Sequence, residues 1–231
     1  MKTLGLLGGM SWESTAIYYR LINEIVRERA GGLHSAKLLL WSFDFDEIAA
    51  RQHAGDWAGA SAMLCDAARK LEAAGAEGLV ICTNTMHKLA SEVQAVVGVP
   101  LIHIADATAA AMKNAGVSRP ILLATRFTME QDFYTGRLKD RHAIEAVVPD
   151  PEGREVIHRI IYEELVRGIV SKSSKAALLE EVERLRRSSA VDGLIMGCTE
   201  ITMLIGAADF DIPVFDTTGI HAEAAAEFAL Q

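Results

Sequence analysis

Only three cysteines occur in 231 residues, an odd and sparse number that argues against a disulfide scaffold and for a reducing compartment. Basic residues are in the minority. Lys and Arg number 23 against 31 Asp and Glu, and the net charge of −8 argues against a nucleic-acid backbone partner, which would need a clustered basic face. No apolar run approaches the ~20 residues of a membrane-spanning helix, so no membrane partner is expected. Met1-Lys2-Thr3-Leu4 leads at once into a strand-and-glycine pattern, without the apolar region and cleavage site of a signal peptide, and the expected location is cytoplasmic. The seven histidines form no HxxxH or HExxH pair and the cysteines no CxxC, so no metal site is expected.

What is present is an alternation. Short apolar runs at Thr3–Leu7, Lys37–Trp41, Gly78–Cys82, Leu101–Ile104, Ile121–Ala124, Ala143–Val148, Gly193–Met196 and Val214–Phe215 read as strands. Longer amphipathic segments between them read as helices: Ser14–Ala30, Ala58–Ala74, His87–Val97, Ala107–Ala115, Met129–Leu138, Glu152–Val166, Ser174–Ser188 and Ile220–Leu230. Buried strands separated by helices predict an α/β fold with parallel sheets covered on both faces.

The chain also repeats itself. Gly78-Leu79-Val80-Ile81-Cys82-Thr83 overlays Gly193-Leu194-Ile195-Met196-Gly197-Cys198 at a shift of 115, and Leu6-Leu7-Gly8-Gly9-Met10 overlays Leu122-Leu123-Ala124-Thr125-Arg126 at 116. Val99-Pro100-Leu101-Ile102 overlays Ile212-Pro213-Val214-Phe215 at 113. Nearly constant offsets in order predict two similar α/β lobes, 1–105 with 208–231 and 106–207. Ligands in such folds sit at the C-terminal ends of strands, and a cleft shared by the two lobes is the expected site.

The strand ends carry small, polar or nucleophilic residues. Gly5-Leu-Leu-Gly8-Gly9-Met10-Ser11 lacks the third glycine of a dinucleotide fingerprint and the Gly-Lys-Ser/Thr of a P-loop, so it reads as a tight turn or a backbone approach to a small anion. Cys198 stands where a buried strand gives way to a helix, and helix amides there are expected to favour its thiolate, making it a proton acceptor or nucleophile. Thr83 is its counterpart in the repeat. Cys82, one place earlier, faces the other side of the sheet, and both it and Cys65 read as core. Asn84, Thr85 and Thr199 offer donors to a carboxylate or serve as helix caps. His87 could pair with Cys198 in nucleophilic catalysis, but its ordinary role is packing. Asp44–Glu47 and Arg184–Arg187 read as solvated surface, and Ser171–Lys175 as either a flap or a loop between helices.

At Gly8-Gly9-Met10-Ser11, Cys82-Thr83-Asn84-Thr85-Met86-His87, Ile102-His103-Ile104-Ala105-Asp106 and Gly197-Cys198-Thr199-Glu200 the chain resembles the aspartate/glutamate racemase family, and in particular its broad-specificity and L-aspartate/glutamate branch. The resemblance spans essentially the whole chain. It implies two pseudo-symmetric lobes, a homodimer, an amino-acid substrate and no cofactor. It further implies two acid/base residues on opposite faces of the substrate Cα, usually both cysteine. Carried over, one is Cys198 and the other falls on Thr83, with Met10, Gln52, Asn84, Thr85, Thr125 and Thr199 as substrate contacts. A threonine hydroxyl is too weak an acid to be ionised near neutrality, so Thr83 is expected to donate a proton rather than remove one.

Acidic-substrate members offer cations at two places where this chain has Gln52, beside Arg51, and Ile169 after Glu164-Leu165-Val166-Arg167-Gly168. Aspartate or glutamate and a broader set of amino acids therefore both remain open. So do a one-cysteine decarboxylase or isomerase of a small diacid, and an amino-acid-binding module without chemistry.

Overall fold

A computed structural model describes residues 1–231. The chain divides into two compact units, one of Met1–Ile104 with His221–Gln231 and one of Ala105–Ile220. No helix is long and apolar enough to cross a membrane.

The first unit runs β1 (Leu4–Gly8), α1 (Trp12–Ala30), β2 (Leu38–Ser42), α2 (Phe45–Ala54), α3 (Trp57–Ala73), β3 (Gly78–Ile81), a 3-10 turn (Thr85–Leu89), α4 (Ala90–Ala95) and β4 (Leu101–Ile102). Its strands form one parallel sheet in the order β2-β1-β3-β4. Strand alternation sends Leu4, Leu6, Val80 and Cys82 to one face, where they meet Tyr18, Ile22 and Val26 of α1 and Ala222, Ala225, Ala226 and Ala229 near the C-terminus. Leu7, Leu79 and Ile81 go to the other face, against Ile48, Leu64, Cys65, Ala68 and Leu71. Cys82 and Cys65 are thus core residues, as their positions in strand and helix imply.

The second unit continues with α5 (Ile104–Asn114), β5 (Pro120–Leu123), α6 (Arg126–Glu130), α7 (Asp132–His142), α8 (Pro151–Arg159), α9 (Lys172–Ser188), β6 (Gly193–Met196), β7 (Val214–Asp216) and the start of α10 (Thr217–Leu230). Its sheet is parallel in the order β5-β6-β7. The return segment expected in the first lobe from residue 208 therefore splits. β7 pairs with β6, and only from His221 onward does α10 belong to the first unit.

The pairing registers reproduce the sequence repeat. Leu4 pairs with Gly78 and Pro120 with Gly193, which are the 116 and 115 offsets; Leu79 pairs with Leu101 and Leu194 with Val214, which is the 113 offset. The counterpart of β2 is the stretch expected as a strand at Ala143–Val148. It survives as one parallel bridge, Ile121 to Val147, with Glu145 and Val147 N–H bonded to the carbonyls of Ser118 and Pro120. Ala143 ends α7 in a left-handed turn (φ 58°), which delays entry into the ladder.

Other departures have local causes. The helix expected over Glu152–Val166 is α8 followed by a π turn at Ile160–Glu164 and a 3-10 turn at Leu165–Arg167. Extended backbone at Gln131 splits Met129–Leu138 between α6 and α7. Asp44–Glu47 opens a helix that periodicity misses, because the buried residues of α2 are Ile48 and a glutamine, Gln52. Ser171 is neither flap nor loop: its hydroxyl caps α9 at Ser174 N–H, 3.1 Å away.

Candidate active site

In the first unit the site residues gather beyond β1 and β3. Cys82 N–H donates to Leu7 O at 2.9 Å, so the β1–β3 ladder runs one step past the strands and brings the Gly9-Met10 turn alongside Thr83. That turn is closed by the protein itself. Thr15 Oγ1 accepts from Gly9 N–H and donates to Ser11 O, both at 2.8 Å. A Cβ on Gly9 (φ +81°) would come within 2.3 Å of Phe43 O, and one on Gly8 within 2.5 Å of Thr15 Cγ2. These glycines serve a tight internal turn.

Thr83 is partly exposed, whereas Met10, Asn84 and Thr85 are buried. Asn84 heads the 3-10 turn without a side-chain capping bond, so capping is not its role. Gln52 projects from α2 and donates from Nε2 to Met86 Sδ at 3.0 Å, one residue after Thr85. Arg51, beside it, is turned away into an ion pair with Asp56 and a contact with Met63 Sδ. The buried face of α2 thus offers an amide where a cation could have stood.

His87 is no partner for a thiol. Its Nδ1 lies 2.7 Å from Thr83 O and its Nε2 3.2 Å from Ile104 N. A carbonyl only accepts and an amide only donates, so the ring is neutral with Nδ1 protonated and both nitrogens committed. His221, packed edge-on against His87, is fixed likewise. It accepts from Tyr18 OH and donates to Ile102 O, and burial lowers its pKa to about 4. No cluster of three or more His, Cys, Asp or Glu is placed to hold a metal.

In the second unit the site residues gather beyond β5 and β6. Leu123 pairs with Met196 and Gly197 N–H donates to Leu123 O at 2.8 Å, so Thr125 and Cys198 leave the sheet side by side. A Cβ on Gly197 would lie 2.9 Å from Ala124 Cβ, so glycine lets the two loops close up. Thr125 stands at the start of α6 with its hydroxyl 3.3 Å from that of Thr128, and makes no side-chain cap. Thr199 accepts from the Thr218 hydroxyl at 3.3 Å.

Cys198 is buried and its Sγ donates to Glu200 Oε2 at 2.9 Å. Burial, the Glu200 charge and this hydrogen bond push the thiol well above its usual range, while the amides of Glu200 and Ile201 pull the other way and lose. Helix amides were expected to favour the thiolate. They do not prevail, because Cys198 caps a five-residue 3-10 turn, Thr199–Met203, whose few aligned peptides cannot offset burial. What stands at the end of β6 is a neutral thiol beside a carboxylate.

Two residues here escaped the sequence reading. Glu200 was visible two places after Cys198, but only the extended backbone at Cys198 folds its carboxylate back onto the sulfur. Tyr162 lies on the π turn, its ring 4.6 Å from that of His158, and its hydroxyl is pushed up to about 12, chiefly by burial. π turns recur at functional sites because they re-aim one side chain of a helix, and no sequence signal marked this one. Ile169 is half exposed after Gly168 and supplies no cation.

The model of the Asp/Glu/hydantoin racemase family matches residues 7–225. A candidate Asp/Glu racemase from Yersinia pestis is 55% identical, with both chains covered in full and a TM-score of 0.94. An aspartate racemase homologue from Pyrococcus horikoshii is 37% identical, again with both chains covered in full, at a TM-score of 0.87. A broad-specificity amino-acid racemase from Bacillus subtilis is 23% identical over 166 residues, covering 69% of this chain and 68% of that one. With its two repeated parallel sheets and its strand-end thiol, the chain belongs to the Asp/Glu/hydantoin racemase family and is an isomerase, a racemase.

Proposed function

We propose that the protein racemises amino acids without a cofactor by exchanging the α-proton between Cys198 on one face of the substrate and Thr83 on the other. The observation that carries this reading is the register of the repeat: Thr83 and Cys198 each stand two residues past the last residue of the central strand, Ile81 and Met196. The reading requires the strand ends of both lobes to face one substrate.

The chemistry follows from the side chains. Sγ takes the α-proton as its own proton passes to Glu200 Oε2, 2.9 Å away, so that no unpaired thiolate persists in a buried place. The carbanion, delocalised into the substrate carboxylate, is reprotonated from the far side by the Thr83 hydroxyl, which is partly exposed and regains its proton from water as Glu200 releases the thiol's proton to water. Thr83 cannot accept a proton as readily, so the direction that starts with proton removal on its side is slower per bound substrate. The free enantiomers still reach equal concentrations, because a catalyst leaves equilibrium unchanged.

For the substrate we propose a set broader than aspartate and glutamate. Gln52 replaces a cation on the buried face of α2, Arg51 is paired with Asp56, and Ile169 carries no charge. The name of the Bacillus subtilis relative supports the broader set. Cytoplasmic action as a homodimer completes the reading.

The test is proton NMR in D2O, following α-proton loss from the enantiomers of aspartate, glutamate, homoserine and methionine. Exchange and inversion that vanish with Cys198→Ser are the expected result. Absence of exchange from every amino acid, with turnover of a malonate- or maleate-type diacid, would overturn the proposal in favour of a one-thiol decarboxylase or isomerase.

A further inference from the structure

We infer that His87 is the positioning residue for Thr83: its ring fixes the Thr83 main chain so that the hydroxyl meets the substrate in one orientation. The inference rests on Thr83 being the far-side proton donor, and it adds a residue that touches no reacting atom.

Both peptide groups around Thr83 are held. Its N–H donates to Ile81 O at 2.9 Å, and its carbonyl accepts from His87 Nδ1 at 2.7 Å. The imidazole cannot turn to release that bond. Ile104 N–H donates to Nε2 at 3.2 Å, the His103 ring lies 4.6 Å away at a tilt of 59°, and the His221 ring packs edge-on at 5.4 Å. His221 is itself tied to Tyr18 and Ile102. A ring flip would set Cδ2 against the Thr83 carbonyl and Cε1 against the Ile104 N–H, and both hydrogen bonds would be lost in a buried place.

The other copy of the repeat does this differently. The Cys198 carbonyl accepts from a main-chain amide, Ile201 N–H, at 3.2 Å. The residue 115 places after His87 is Thr202, whose hydroxyl bonds Thr199 O at 2.7 Å. The side with the weaker acid therefore carries the side-chain brace. That is where orientation matters more. A thiol can shuttle a proton with Glu200 over a range of sulfur positions, whereas a hydroxyl near its ordinary acidity transfers one only when aligned, and a displacement of about 1 Å costs roughly 100-fold.

The experiment compares wild type, His87→Ala, His87→Asn, His87→Gln and Thr83→Val by NMR in D2O, using an amino acid that the wild type turns over. From the enantiomer whose α-proton faces Cys198, exchange with retention needs Cys198 alone and inversion needs both faces. The readout is the ratio of inversion to exchange, which loss of folded protein does not change. His87→Ala is expected to lower that ratio by about 10- to 100-fold. Asn, whose amide N–H stands at the Nδ1 position, restores most of it, and Gln, whose amide reaches the Nε2 position, does not. If His87→Ala fails to fold, the Asn and Gln pair carries the same test. An unchanged ratio in the His87 variants, or one that Asn and Gln restore alike, overturns the inference. A Thr83→Val ratio equal to wild type overturns the reading of Thr83 itself. A lowered Thr83→Val ratio with normal His87 variants rejects only the role of His87.

Discussion

Replacing Glu200 by glutamine separates two roles that predict opposite signs. Burial, the Glu200 charge and the Sγ–Oε2 hydrogen bond all hold the Cys198 thiol protonated. Glutamine keeps the shape and an acceptor oxygen but removes the charge and the capacity to take a proton. Were Glu200 only an obstacle to ionisation, its removal would let the thiol fall toward its ordinary range, enrich the thiolate near neutrality and speed α-proton loss. Were it the acceptor of the thiol proton, α-proton loss should fall by 10²- to 10⁴-fold, the usual contribution of a positioned general base. That is about 3–5 kcal/mol in the barrier. The 2.9 Å contact lies within the reach that direct transfer needs, so the expected result is the loss. Deuterium wash-in at Cα, measured across a pH series, is the assay. The residual activity should also rise with pH along a limb displaced to lower pH, because the charge that opposed ionisation is gone. A rate in Glu200→Gln equal to or above wild type at neutral pH would refute the reasoning.

Thr83→Cys places an ionisable thiol on the second face and should narrow the difference between the initial rates from the two enantiomers; a difference as large as in wild type sinks the asymmetric mechanism. Gly9→Ala forces a side chain into φ +81° and against Phe43 main-chain atoms, and should cost at least ~2 kcal/mol in urea unfolding; an unmoved midpoint would show that the turn relaxes freely. His221 titrates near 4 in the fold against 6.5 when unfolded, so between those values the unfolded chain binds the extra proton and stability falls as pH falls. The loss over that window is about 3 kcal/mol, and His221→Gln should flatten the pH dependence of the urea midpoint; equal slopes in both proteins would contradict it.

Much of the architecture was legible because it rests on patterns local in the chain. Continuous apolar runs such as Leu194–Met196 can only be buried strands when helices follow, and the 113, 115 and 116 offsets reappear as pairing registers because duplicated strands keep their neighbours. Cys198 and Thr83 were found the same way, as equivalent strand ends. What periodicity missed has a common cause: the decisive contact lay outside the segment. α2 was hidden because Gln52 occupies its buried face, and Ala143–Val148 kept its strand composition while its ladder shrank to one bridge.

By itself the sequence determined the α/β class, the repeat, the equivalence of Thr83 and Cys198, and the family. Only the tertiary structure decided the state of the thiol, the partner of His87 and where Arg51 points. Helix amides, burial and a carboxylate all act on Cys198, and which prevails depends on distances of a few ångströms between groups that the sequence orders but does not bring together. A histidine can likewise be base, ligand or brace until the atoms facing its two nitrogens are known, and here they are Thr83 O and Ile104 N–H.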